Sequence, residues 1–216
     1  RDLGCGMRAV IVVLALVLAS RTAAAEPDNR DLVLWGLAMT PPTYLIGVTL
    51  HEGSHALAAE LMGGDVTEVR LFPPGVDPKV HKFRFGWTYV QGLQTKPQKI
   101  VFYLAPKITD SLLLGGFAAL ILTNTWPDNR YAQLALTVGA TGLWVDFSKD
   151  VVLFSKHNDV SKAFHAWCMY GIKQLPARLV YGALVAASGY TVFRGYQKTF
   201  GEQVGTTMMP LLSARF

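Results

Sequence analysis

The chain has 216 residues, of which 51% are hydrophobic and 16% are charged, and its formal net charge is +5 at pH 7. Average soluble proteins carry about 25% charged residues, so this composition favours a membrane protein over a soluble one. The basic residues are scattered over loops between apolar blocks and form no stripe with interleaved aromatic residues, which argues against a nucleic-acid-binding protein. Cys5 and Cys168 are far apart, so no disulfide framework is predicted.

The N-terminal segment predicts a secretory signal. Met7-Arg8 is followed by the apolar run AVIVVLALVLAS and then by small residues that end at Ala25. A basic start, a short apolar stretch and an A-x-A-like end are typical of a signal peptide, with a retained first membrane helix as the alternative. We therefore expect a signal peptide or N-terminal membrane segment at 1–25, a membrane-embedded domain at 26–200 and a tail at 201–216.

The first long apolar block, residues 32–64, predicts a membrane-spanning helix. Thr40-Pro41-Pro42 has the pattern of a helix start and Gly63-Gly64 that of a helix end, so we expect a helix from about Pro42 to Met62. Such a helix is about 30 Å long, enough to cross a bilayer. The segment His51-Glu52-Gly53-Ser54-His55 is then expected near its middle.

This H-E-x-x-H segment predicts a metal site. Residues i and i+4 share one face of a helix, so His51 and His55 could bind the same metal ion. Glu52 could take a proton from a metal-bound water, which is the general-base role in metal-assisted hydrolysis. Ionisable side chains are costly in hydrocarbon, so their presence in this block favours a functional role over a chance match.

Residues 65–99 form a long polar interval that predicts a β-ribbon at the membrane surface. Residues 66–72 and 82–90 alternate polar with apolar side chains, and Pro73-Pro74-Gly75 predicts a turn between them. His81 lies in this interval, where we expect a solvated side chain rather than a metal ligand.

Three later apolar blocks predict three further spans, at Ile100–Leu122, Tyr131–Phe154 and Leu179–Phe193. Lys107 and Asp110 are three residues apart in the first block, so we expect them to pair or to lie at the interface. Basic residues concentrate in 65–99 and 155–178, which the positive-inside tendency places in the cytoplasm. The predicted fold is a mainly α polytopic membrane bundle of about four spans after the signal segment, with a small β-ribbon between the first two spans.

The segment LHEGSHALAAELMGG, residues 50–64, resembles the site-2 proteases, a family of intramembrane zinc metalloproteases. The resemblance rests on H-E-x-x-H within a membrane helix, followed by small residues and a glycine pair. It implies Zn²⁺ held by His51, His55 and an aspartate, and a zinc-bound water activated by Glu52. It also implies a membrane protein or peptide substrate, held in extended form by strands, in a lipid bilayer such as a bacterial-type inner membrane.

The third zinc ligand is where this sequence departs from the family. The resemblance implies an aspartate in a Leu-Asp-Gly motif, but the chain contains no Asp-Gly pair. By order along the chain Asp159 fits the ligand position best. Asp146 is the main alternative because it is embedded more deeply in an apolar block, and Asp150 and His157 are two others.

Two other functions are open, and the missing Asp-Gly pair supports the first of them. One is a catalytically silent membrane protein that binds zinc. The other is a metal transporter, in which His51, Asp110 and Asp146 would line an ion path. A secreted soluble metalloprotease is disfavoured, because residues 32–50 contain no charged side chain.

Overall fold

A computed structural model describes residues 27–152 and 158–201, and within these ranges the chain is mainly helical, with two small antiparallel sheets. The helices are α1 (Asn29–Leu61), α2 (Lys96–Leu122), α3 (Arg130–Val152), α4 (Asp159–Ala166) and α5 (Leu175–Phe200), with a 3-10 turn (Gly171–Gln174) before α5. The strands are β1 (Asp65–Arg70), β2 (Gly75–Asp77), β3 (Lys82–Arg84) and β4 (Trp87–Gln91). The predicted signal segment, residues 1–25, lies outside the described residues.

Helix α1 begins at Asn29, well before the predicted start at Pro42. Both Pro41 and Pro42 therefore lie inside the helix. The Asp28 side chain caps the helix by accepting a hydrogen bond from the backbone N–H of Asp31 at 2.8 Å. Each internal proline removes one helical donor, which membrane helices tolerate when other groups satisfy the freed carbonyls. The helix ends as predicted, with Gly63 at φ 78°.

The length of α1 changes the expected position of the H-E-x-x-H segment. Its 33 residues extend about 50 Å at 1.5 Å per residue, which exceeds the thickness of a bilayer's hydrocarbon core. His51 and His55 therefore lie in the C-terminal half of α1 rather than near its middle.

Among the described residues, α1 and α2 are the two helices long and apolar enough to cross a membrane. Little of the most apolar stretch of α1 is buried inside the protein, and Leu34, Trp35 and Leu37 are exposed. A core helix of a soluble protein would bury such side chains, so these faces fit a lipid environment. Helices α3 and α5 are of comparable length, with 23 and 26 residues, but are less apolar.

The core lies between α2, α3 and α5. Its buried apolar side chains are Leu114, Phe117, Ile121, Ala140, Phe147 and Val192. Helix α1 packs against α2 and α3, and its approach to α3 is close at Gly142, where an added Cβ would lie 2.9 Å from Cγ2 of Thr43. Helix α4 packs against α2 and so comes to lie near α1.

The predicted single ribbon consists of two separate antiparallel strand pairs. Strand β1 pairs with β4, with Arg70 opposite Trp87, and β2 pairs with β3, with Asp77 opposite Lys82. Pro73-Pro74-Gly75 leads into β2 instead of turning β1 back on its partner, so the predicted turn was wrong. His81 is exposed beyond β2, which confirms the expectation of solvation.

The Asp77 carboxylate ties the second pair to the first. It is fully buried and accepts hydrogen bonds from the Tyr89 hydroxyl and from the backbone N–H groups of Lys79 and Val80, with Arg84 Nε at 3.3 Å. Burial alone would raise the pKa of Asp77, but these donors hold it below its ordinary value. Because Tyr89 lies on β4, this charged cluster fixes β2 and β3 against the β1–β4 sheet.

The interval 155–178, whose basic residues predicted a cytoplasmic loop, contains α4 at Asp159–Ala166, a helix that the sequence pattern did not predict. Asn158 caps α4 by accepting a hydrogen bond from the backbone N–H of Ser161 at 2.7 Å. The helix buries Val160, Ala163 and Phe164, which share one face. Its apolar face is too short and too interrupted by polar residues to be recognised as an apolar block.

Candidate metal site

Helix α1 presents His51 and His55 on one face, as the i, i+4 spacing predicts, and their ring centroids are 5.1 Å apart. Asp159 is the first residue of α4, and its Oδ2 lies 3.4 Å from Nε2 of His51 and 3.3 Å from Nε2 of His55. One ligand atom of each of the three residues lies within 4.8 Å of the other two. The fold thus brings together the two histidines and the aspartate preferred from chain order.

In both histidines the ring nitrogen that points away from Asp159, Nδ1, faces a hydrogen-bond acceptor. Nδ1 of His55 lies 2.8 Å from the backbone carbonyl oxygen of Phe102, which can only accept, so this nitrogen carries the hydrogen. Nδ1 of His51 lies 3.0 Å from Oδ2 of Asp146. In the neutral rings the lone pairs of both Nε2 atoms are then directed towards Asp159. Two imidazole nitrogens and a carboxylate oxygen form a donor set that fits Zn²⁺.

The Asp159 carboxylate has separate partners for its two oxygens. Oδ2 faces the histidines, and Oδ1 accepts from Lys162 Nζ at 2.8 Å. Burial alone would raise the pKa of Asp159, but His51, His55 and Lys162 hold it well below its ordinary range. An ionised carboxylate is the form in which an aspartate binds a metal.

The other candidate ligands are placed differently. Asp146 contacts His51 on the ring nitrogen that faces away from Asp159. The Asp150 carboxylate lies 3.4 Å from Lys107 Nζ. His157 lies outside the described residues.

Lys107 lies at the centre of a buried charged cluster behind the histidines. Its side chain is 4% exposed, and its ammonium is 2.7 Å from Asp146, 3.4 Å from Asp150 and 3.6 Å from Asp110. The predicted pairing of Lys107 with Asp110 is confirmed. The transporter hypothesis placed Asp110 and Asp146 along an ion path, but in the structure both carboxylates contact the ammonium of Lys107.

Glu52 is 8% exposed and is held by the sheet. The Thr88 hydroxyl on β4 donates to Oε2 of Glu52 at 2.8 Å. Gly86, just before β4, comes so close to α1 that an added Cβ would lie 3.0 Å from Cγ of Glu52. The sequence pattern placed Thr88 in a strand, but gave no signal that this strand contacts α1.

A cavity of about 280 Å³ adjoins the site, between the end of β4 and the first turns of α2. Val90, Lys99 and Tyr103 contribute to its walls, together with Phe102, whose ring centroid is 4.6 Å from that of His55. The site therefore borders a space large enough for an amino-acid side chain.

The mainly helical fold, the apolar α1 and α2 and the H-E-x-x-H site together have the character of a membrane metallopeptidase. A family model described as Peptidase M50B-like matches residues 8–153. Because this match covers more than half of the chain, the protein belongs to that family, and the resemblance to the site-2 proteases is confirmed. The matched region includes His51, Glu52, His55 and Asp146 and ends before Asp159. Comparisons with curated proteins and with solved structures found no match.

Proposed function

We propose that the protein is an intramembrane zinc metallopeptidase that hydrolyses peptide bonds of membrane-associated substrates. The observation that carries this proposal is the convergence of His51, His55 and Asp159 beside the buried carboxylate of Glu52. Membership of a membrane metallopeptidase family supports the same reaction class.

The two histidines, through Nε2, and Asp159, through its carboxylate, would hold the zinc. When bound, Zn²⁺ supplies a Lewis acid and makes water acidic enough to lose a proton near neutral pH. Glu52 would accept a proton from the attacking water and pass it to the leaving amine nitrogen. The hydrogen bond from Thr88 orients the Glu52 carboxylate for this role.

The substrate would be a membrane protein or peptide that unwinds locally, because the backbone groups of an intact helix are already paired. Strand β4 packs against α1 beside Glu52. Within the described residues β4 pairs with β1 alone, so its other edge has no strand partner. An extended substrate segment could add to that edge, and the adjoining cavity could receive one of its side chains.

We also propose a multi-pass membrane domain over residues 26–200, with α1, α2, α3 and α5 as its four spans. Helix α5 shares a core with α2 and α3 and exposes Leu179, Val180 and Leu184 on its outer face, where lipid would cover them. Loops 65–99 and 155–178 would then be cytoplasmic.

This topology can be tested with a membrane-impermeant thiol reagent. Cys168 is exposed in the second of these loops, and His81→Cys would place a thiol in the first. Both should react from the cytoplasmic side only. With Cys5 and Cys168 replaced, Asp128→Cys should react from the opposite side. Labelling of all three positions from one side would contradict the four-span layout.

The proposed function is tested by measuring zinc per chain and proteolysis in detergent-purified protein. The parent and Glu52→Gln should each bind one zinc, but Glu52→Gln should lose about 10²–10⁴-fold in rate, because general-base catalysis contributes that much. His55→Ala and Asp159→Ala should lose both zinc and activity. Glu60→Gln, an exposed position on the same helix, serves as the matched control and should behave like the parent.

Two results would contradict the proposal. A parent protein that binds no zinc after metal-free preparation and zinc addition would exclude the metallopeptidase mechanism. Full proteolytic activity in Glu52→Gln would exclude Glu52 as the catalytic base.

A further inference from the structure

The His51 ring is held on both sides by carboxylates from different helices. Its Nε2 faces Asp159 on α4 at 3.4 Å, and its Nδ1 faces Oδ2 of Asp146 on α3 at 3.0 Å. His55 differs, because its Nδ1 faces the backbone carbonyl oxygen of Phe102. A side-chain carboxylate therefore supports one of the two histidines.

The Asp146 carboxylate is itself fixed in place. Lys107 Nζ lies 2.7 Å from the oxygen that faces His51 and 2.6 Å from the Asp146 backbone carbonyl oxygen. Lys149 Nζ contacts the other carboxylate oxygen. Lys107 comes from α2, so the orientation of Asp146 depends on the packing of α2 against α3.

We propose that Asp146 is a positioning residue for the zinc site and that Lys107 holds it in that role. Asp146 accepts the Nδ1–H of His51, which keeps the lone pair on Nε2 and holds the ring in the orientation that faces Asp159. A carboxylate behind a metal-binding histidine also increases the basicity of the ring. This inference rests on the proposed zinc-binding function and assigns Asp146 a role distinct from that of a zinc ligand.

The alternative is that Asp146 only belongs to the ionic cluster around Lys107 and stabilises the helix packing. Asp150 provides the matched comparison, because it lies one turn further along α3 and its carboxylate is 3.4 Å from the same ammonium. Among the contacts of the described residues, Asp146 is the member of this cluster that reaches His51. Of these two roles, positioning predicts different zinc affinities for variants at Asp146 and Asp150, whereas helix packing alone does not.

The experiment is a zinc competition titration with a chelator on the detergent-purified protein, for the parent, Asp146→Asn and Asp150→Asn. Asp146→Asn should weaken zinc binding about 10–100-fold, as loss of an outer hydrogen-bond partner of a metal ligand typically does. Asp150→Asn should stay within about threefold of the parent. The absorption spectrum of the cobalt-substituted protein should change in Asp146→Asn and not in Asp150→Asn.

Thermal unfolding of the zinc-free proteins separates this effect from a loss of stability. If Asp146→Asn does not fold, Asp146→Glu replaces it, because Glu keeps the charge beside Lys107 but moves the carboxylate relative to His51. This variant should unfold near the parental temperature and bind zinc at least about tenfold more weakly.

Parental zinc affinity in the folded Asp146 variant, or equal weakening in Asp146→Asn and Asp150→Asn, would overturn the positioning role. In that case zinc binding by the parent and its loss in His55→Ala would leave the proposed function standing. A parent that binds no zinc would overturn both.

Discussion

Replacing Lys107 by methionine should destabilise the protein far more than the same change at Lys149. The two lysines contact the same aspartate, Asp146, but in different surroundings. The Lys107 side chain is 4% exposed and lies within 3.6 Å of three carboxylates, whereas the Lys149 side chain is 41% exposed. Methionine has a similar length and flexibility, so both changes mainly remove the charge.

The expected magnitudes follow from burial. Removing one partner of a buried ion pair costs about 3–5 kcal/mol, because the remaining charge is left without compensation. Removing a largely exposed partner costs about 0–1 kcal/mol. For a protein of this length each kcal/mol corresponds to roughly 2–4 °C in Tm. Lys107→Met should therefore lower Tm by roughly 6–20 °C and Lys149→Met by at most about 4 °C.

The assay is thermal unfolding in detergent, followed by tryptophan fluorescence and by circular dichroism at the same protein concentration. The double variant Lys107→Met with Asp110→Asn should recover part of the loss, because one of the uncompensated carboxylates is removed. Equal and small Tm shifts for the two single lysine variants would refute the reasoning. They would show that the carboxylates around Lys107 do not depend on its charge.

Three other predictions concern the strands, either in their contacts with α1 or in the contact between the two strand pairs. Thr88→Val should lower kcat/KM for proteolysis about 10–150-fold with zinc content unchanged, because Glu52 loses a donor worth about 1.5–3 kcal/mol. Thr88→Ser keeps the hydroxyl and should stay near the parent. Gly86→Ala should cost about 1–3 kcal/mol in thermal unfolding through overpacking against α1, while Gly115→Ala, where an added Cβ meets no atom within 4 Å, should stabilise by up to about 1 kcal/mol. Asp77→Asn should destabilise the protein at neutral pH. Because folding lowers the pKa of Asp77, its contribution to the free energy of unfolding is present above the unfolded pKa of about 3.9. That contribution is lost as the pH falls towards the folded pKa. The difference in unfolding free energy between Asp77→Asn and the parent should therefore shrink below about pH 4.

Local features of the sequence were sufficient for several elements. The end of α1 just before Gly63 followed from a glycine that favours a left-handed conformation. The end of α2 at Leu122 followed from a long, largely apolar block. The placement of His51 and His55 on one face followed from helix geometry alone. In each case the determining interaction lies within a few residues along the chain.

Elements whose signal depends on packing were predicted less well. Pro41 and Pro42 are a common start signal, but α1 continues through them, because a membrane helix tolerates internal prolines. The two strand pairs could not be told from one ribbon, since the alternating pattern fixes which side chains share a face but not which strand is the partner. Helix α4 was missed because its buried face is only two turns long.

The sequence by itself determined the chemistry that α1 offers: two histidines at ligand spacing and a glutamate between them. Chain order favoured Asp159 over Asp146 as the third residue, but only the tertiary structure placed the two aspartates on opposite sides of the His51 ring. The physical reason is that the crossing of α1, α2 and α3 and the docking of α4 decide which side chains meet. Those helices are brought together by the burial of apolar surfaces that lie far apart in the sequence. No pattern within one helix therefore predicts the contact between Lys107 and Asp146.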